Sequence, residues 1–317
     1  MNDTRDRAML GMAPLIFVGI ALFASWAAHG IDDKGAPAIL AFVIVTIVYG
    51  LAKALLDRYV KPILLLVLAV IALHAIGQVL IVLITTGQLT RPIDTNVLAP
   101  VMLAAFLMVV KEKRKLAAGL YFAALLIAGS RAGYLAVGAV YIVSPWGKRE
   151  KFWWVPVCGV LAGFIGLTVL RSTHGLDLER LTAWQIGLGM WSDSWWVGAG
   201  PGGFYQLGLY HLPHSHNVWT QAAADLGWGG IIAVIGVVGF YIRAIEKSEQ
   251  PRWGWALLAA LLVAGMFDFI YWVPQASILL LLIADEVIGA SVVSEYGGVF
   301  ASSPDNRWSS EVHLPPV

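Results

Sequence analysis

Apolar runs bounded by charged residues account for most of this chain. A helix that crosses a bilayer needs roughly 20 predominantly apolar residues, somewhat fewer where flanking side chains snorkel. Ten segments fit that description: 10–28, 38–56, 62–85, 96–110, 116–129, 132–146, 155–170, 218–242, 253–272 and 274–292. The fourth to seventh are short, and the fifth and sixth are the weakest of the set. No internal repeat, low-complexity tract or linker separates them. The pattern therefore predicts an all-α polytopic membrane protein, with one helical domain over 1–293 and a short disordered tail over 294–317. No small-residue cleavage site follows the first apolar run, so that run is expected to stay as a helix and not to be removed as a signal peptide.

Charge fixes an expected orientation. With the N-terminus in the cytoplasm, sixteen of the 21 Lys and Arg fall on the inside and five on the outside (Lys34, Arg91, Arg131, Arg171 and Arg180). Cytoplasmic loops carry such an excess. A missed or extra helix would scramble it, so the span count and the orientation support each other, and both termini are expected in the cytoplasm. Tryptophan, whose ring favours the headgroup region, marks the same helix ends: Trp26, Trp146, Trp153, Trp154, Trp219, Trp253, Trp255 and Trp272.

Composition agrees. The chain is 59% hydrophobic and 13% charged, against about half and a quarter for soluble domains, with a mean hydropathy of +0.75. A net charge of +1 supplies no basic field for nucleic acid. The one cysteine, Cys158, lies in an apolar run and excludes an internal disulfide framework.

One loop is too long to be a mere connection. Residues 171–217 form the only long extramembrane segment, expected on the outer face, and hold four of the seven histidines (His174, His211, His214 and His216). Loops of this length usually carry function. Its first half predicts a helix lying on the membrane: Asp177 is a plausible N-cap, and Leu181, Trp184, Leu188 and Trp191 form one apolar stripe. Arg180, one turn before Trp184, reads either as a snorkelling arginine or as a cation at the depth of a lipid diphosphate. Gly198-Ala199-Gly200-Pro201-Gly202-Gly203-Phe204 reads either as a tight turn re-entering the membrane or as a backbone that approaches an anion closely. It is no dinucleotide fingerprint, because no strand precedes it.

His211, His214 and His216 then lead into the eighth span. Three histidines within six residues admit zinc, but there is no HExxH pattern and no obvious fourth ligand nearby. Histidine titrates close to neutrality, which makes acid/base work at the mouth of a membrane cavity the more natural role. Arg131, between two apolar runs, either snorkels or faces a cavity. Arg91, in the loop after the third span, is a further candidate cation.

These residues resemble a known family. His216-Asn217, nine residues, Gly227, two residues and Gly230 fit the H-[NSQ]-x9-G-x-x-[GTY] signature of the O-antigen ligase and polymerase superfamily. Arg180-x-x-x-Trp184, Gly198-x-Gly200-Pro201-Gly202-x-Phe204 and Ser130-Arg131-Ala132-Gly133 resemble family elements in the family order, so the resemblance covers roughly 120–290. Family ligases usually have about a dozen spans, and this chain departs from that pattern.

The resemblance implies a glycosyltransferase of the bacterial inner membrane with its active loop in the periplasm. It would move a glycan from an undecaprenyl-diphosphate donor to an acceptor hydroxyl. Lipid A core is the acceptor of ligases, a growing chain that of polymerases, and protein hydroxyls that of O-oligosaccharyltransferases. Arg180 and Arg131 are then expected to stabilise the leaving diphosphate. His216 is expected to take the acceptor proton, with Asn217, Trp184, Gly198, Gly200, Gly202, His214 and Arg91 binding substrate. No metal and no cofactor are required, because the arginines supply the positive charge. The rival class is a proton or solute transporter using His74, Gln78 and Asp268 inside the membrane, against which no inverted repeat is found.

Overall fold

The computed structural model describes residues 3–29, 35–86, 95–128, 130–143, 176–204, 214–248, 250–267 and 274–288. Among these residues every regular element is a helix. In chain order they are α1 (Asp3–Ala28), α2 (Ala36–Thr86), α3 (Thr95–Lys111), α4 (Lys115–Ala128) and α5 (Arg131–Val143). There follow α6 (Leu176–Asp193), α7 (Val218–Glu246), α8 (Pro251–Phe267) and α9 (Pro274–Ile288). The expected seventh span, 155–170, and the tail lie outside the described residues.

Three segments are long and apolar enough to cross a membrane, namely Ala36–Leu55, Tyr59–Thr86 and Val218–Glu246. Shorter apolar helices occupy Pro14–Ala28, Val97–Lys111, Lys115–Ala128, Ala132–Val143 and Pro251–Met266. The described residues are thus all-helical and have the character of a membrane protein. Large apolar side chains such as Ile16, Ile20, Leu40, Leu66 and Ile84 point outward, where lipid accepts them without cost.

The connection expected at 57–61 is not a loop: α2 is helical from Ala36 through Thr86. The residues Leu56–Lys61 contain no glycine or asparagine to supply a turn, so helical hydrogen bonding continues through them. The two apolar segments of α2 instead meet at a charged patch.

α3 is the central helix. Ala99, Met102, Ala104, Ala105, Leu107 and Val109 are fully buried, because its neighbours α2, α4, α5, α8 and α9 surround it. Small side chains let helices approach closely in lipid, where no hydrophobic force drives them together. α5 packs along α8 and against α3, with Gly133 closed onto Ala99. α1 packs along α7, where Gly236 accommodates the ring of Phe17.

At one end of this bundle the residues assigned to the cytoplasm converge. Lys53 Nζ lies 3.4 Å from Asp285, whose carboxylate also accepts the Tyr49 hydroxyl. Lys61 pairs with Glu112 and, at 3.6 Å, with Glu286, while Arg114 Nε reaches Glu112 at 2.8 Å. Lys111 Nζ donates to the terminal carbonyls of α9, Glu286 O at 3.2 Å and Val287 O at 2.8 Å. A cation there suits the negative end of the helix dipole.

Candidate active site

The opposite end is built around a break in α7. At Gly227 the backbone takes φ 61° and ψ −145°, far from helical values. A Cβ there would lie 2.5 Å from Trp195 O, so glycine is demanded by both conformation and space. The residue is the first glycine of the signature; the second, Gly230, presses on the Ala222 carbonyl across the bend.

A break inside an apolar helix strands backbone groups that lipid cannot satisfy. The segment before α7 satisfies them. Trp228 N–H donates to Trp195 O at 2.8 Å, Ala199 N–H to Ala224 O at 2.8 Å, and Gly200 N–H to Asp225 O at 3.1 Å. The hydroxyl of Ser25, from α1, donates to Asp225 O at 3.1 Å and to Val197 O at 2.6 Å. Gly198 sits at φ +67° directly against the backbone of Asp225 and Leu226, where no side chain fits.

The glycine loop does embrace an anion, and that anion is the protein's own. Asp225 Oδ1 accepts Phe204 N–H at 3.0 Å, and Gly202 N–H bonds the same carboxylate. Asp225 Oδ2 accepts Gln221 Nε2 at 2.9 Å, and both side chains are buried. The amides of Ala199, Gly200, Gly202 and Phe204 are therefore turned to α7, and the loop's first task is structural.

Gln221 passes the connection on. Its Oε1 accepts the Ser215 N–H at 2.7 Å. Ser215 Oγ donates to Asn217 O at 2.9 Å and receives the Thr220 hydroxyl at 2.8 Å. Asn217 is the N-cap of α7: its Oδ1 accepts Trp219 N–H at 2.8 Å and Thr220 N–H at 3.2 Å. Its Nδ2 donates to Met266 O at 3.1 Å, which ties the cap to the end of α8.

His216 stands between these two pinned neighbours with φ +54°. Few non-glycine residues occupy that region, histidine more readily than most. Its ring lies 4.1 Å, centroid to centroid, from that of His214. No group of three or more potential metal ligands occurs among the described residues.

α6 closes over this unit through its small residues. Ala183 is fully buried with Phe204 and Ala224, and Gly187 lies against Ser215 and Thr220. Of the expected stripe, Leu181 and Leu188 remain about half exposed, at 53% and 48%, in keeping with a face turned to lipid. Arg180 is partly buried one turn before Ala183 and Trp184. The indole N–H groups of Trp184 and Trp191 are buried without a hydrogen-bond acceptor among the described residues. Trp191 packs on Trp195 and Trp228, each at 5.3 Å.

The structure thus brings His214, His216, Asn217, the glycine loop and the helix bearing Arg180 and Trp184 into one unit. Arg131 opens α5, where Ser130 Oγ accepts Gly133 N–H at 3.4 Å, but its side chain lies outside the described residues. So do Arg91, His174, His211 and Asp268. His74 is exposed on α2 and lines no interior path among the described residues. Sequence reasoning missed Asp225 and Gln221, although a carboxylate and an amide four residues apart inside an apolar run are signal enough.

An apolar cavity of about 220 Å³ is lined by Val218 and Trp219, which follow His216 and Asn217 in the chain, and by further α7 residues as far as Tyr241. Leu15 and Phe42 from α1 and α2, with Leu281 from α9, help to line it.

No family model matches the chain. It is similar to the probable peptidoglycan glycosyltransferase FtsW of Halorhodospira halophila (strain DSM 244 / SL1), at 28% identity over 163 residues. The match covers 43% of this chain and 38% of that protein, so the chain spans well under half of its relative's length.

Proposed function

We propose that this protein is an inner-membrane glycosyltransferase that moves a glycan from a lipid-diphosphate donor, undecaprenyl-linked, to an acceptor hydroxyl at the periplasmic face. The observation that carries the reading is an apolar cavity whose lining includes Val218 and Trp219, the residues that directly follow His216 and Asn217 in the chain. An amphiphile with a polar head and a long hydrocarbon tail meets both surfaces at once: the head at His216 and α6, the tail along α7. The similarity to a peptidoglycan glycosyltransferase supports the same reaction class.

In this reading the acceptor oxygen attacks the anomeric carbon, and the bond from that carbon to the diphosphate oxygen breaks. The electron pair leaves with the diphosphate, where Arg180 and Arg131 stabilise the growing charge. The acceptor proton passes to His216. His214, Trp184 and Arg91 hold the sugar and phosphates. Asn217 keeps the turn in place as helix cap, with one amide proton left for substrate.

Lipid A core or a growing polysaccharide is the acceptor of the ligase and polymerase readings, and a protein hydroxyl that of the O-oligosaccharyltransferase reading. The similarity to FtsW favours a further acceptor, a peptidoglycan strand. The test is transfer by the purified protein in liposomes from an undecaprenyl-diphosphate glycan, with each acceptor offered separately. Product on one acceptor, lost in His216→Ala and Arg180→Ala, establishes the class and names the branch. Uptake of labelled solute that His216→Ala leaves unchanged would replace it with a transporter.

A further inference from the structure

His216 holds a left-handed backbone conformation that few non-glycine residues adopt, and the polar groups around it show what imposes it. Ser215 on one side is fixed through its N–H by Gln221, and Asn217 on the other is fixed as a helix cap. Gln221 has no freedom of orientation. Its Oε1 faces a backbone N–H, which only donates, and its Nε2 faces Asp225 Oδ2, which accepts. Asp225 is oriented in turn by Phe204 and Gly202 from the glycine loop. One buried chain of hydrogen bonds thus runs from the loop, through a single turn of α7, to the residue before the histidine.

We infer that Asp225 and Gln221 are positioning residues for His216, and that through them the seating of the glycine loop on α7 sets the direction of the imidazole. The inference rests on the proposed role of His216 for its functional meaning, though not for its geometry. Neither side chain reaches a reacting atom. Buried networks of this kind are sensitive to each member, because a donor or acceptor left alone in low dielectric is costly.

The chain also predicts its own rescue. Asp225→Asn alone sets an amide against the Gln221 amide, and Gln221→Glu alone sets two carboxylates together. The double variant Gln221→Glu/Asp225→Asn restores the chain from Phe204 to Ser215: Glu accepts from Ser215 N–H and from the Asn amide, whose oxygen accepts from Phe204 N–H. The experiment is the rate of His216 modification by diethyl pyrocarbonate, mapped by mass spectrometry in the full-length protein, with an added histidine-containing peptide as internal control. Each single variant should change the His216 rate by about fivefold or more, and the double variant should return it to within about twofold. Where transfer is measured, kcat should follow the same pattern while the donor KM stays within about twofold.

Unchanged His216 modification in both single variants, or a change that the double variant fails to restore, would overturn the inference. Both single variants preserve side-chain shape, so loss of fold in either one leaves the other comparison readable. Modification is read without donor or acceptor. Failure of the unaltered protein to transfer any glycan would therefore sink the glycosyltransferase reading and leave this one standing.

Discussion

The two ends of the helix bundle solve the same problem by different chemistry. Both gather polar groups at the edge of an apolar protein. At the end with Lys53, Lys61, Lys111 and Arg114, long flexible cations meet Glu112, Asp285 and Glu286 as ion pairs or, for Lys111, the last carbonyls of α9 as hydrogen bonds. At the other end backbone amides, one buried carboxylate and one amide side chain meet across a broken helix. Flexible ion pairs tolerate displacement, whereas hydrogen bonds between rigid backbone groups do not. Precision is therefore concentrated where His216 stands, in keeping with the chemistry proposed for that end, while the charged end acts as a clamp.

The comparison is broken most severely at Gly227. Gly227→Val should abolish folded protein or cost at least about 3 kcal/mol, since it combines a positive φ with a Cβ in contact with Trp195. Gly239→Ala in the same helix, where nothing lies within 4 Å, should be tolerated. Yield and thermal unfolding in detergent check both.

Next come the residues proposed to act on substrate. His216→Ala should lower kcat by about a hundredfold or more without lowering thermal stability, and Arg180→Ala by about ten- to a thousandfold. A smaller effect is expected within the cavity. Ala222→Phe should raise the KM for a long-chain donor several-fold, and less so for a short-chain analogue, if the tail follows α7.

At the charged end the losses should fall on stability alone. Lys53 is buried, so Lys53→Met leaves Asp285 with only part of its partners and should cost about 2 kcal/mol, with transfer within about twofold of normal. Lys61→Met removes a partly exposed pair and should cost under about 1 kcal/mol, checked by the same unfolding assay. Loss of transfer in a stable Lys61 variant would erase the distinction between the two ends.

Much of this arrangement was legible in the chain. Apolar runs between charges located the helices, because lipid leaves the backbone no other way to satisfy itself. The eighth span was expected as an unbroken helix over 218–242; the break falls at Gly227 of the H-N-x9-G-x-x-G pattern, but a single glycine in an apolar run does not declare a bend. The glycine loop was readable as a tight approach to an anion, but its partner was not: Asp225 lies over twenty residues away, and only the fold brings it there. Asn217 looked like a ligand residue and serves as a helix cap, a role whose sequence signal is the same polar residue before an apolar run. The helix through 57–61 was missed because charge between two apolar runs reads as a connection unless turn residues are demanded as well.

The central claim is that the broken-helix end performs glycosyl transfer and the charged end does not. Its most direct test is a single reconstituted assay with an undecaprenyl-diphosphate glycan, comparing unaltered protein, His216→Ala and Lys61→Met at equal folded amounts. The account predicts transfer by the first and third and about a hundredfold less by the second. Equal transfer by His216→Ala and the unaltered protein would contradict it.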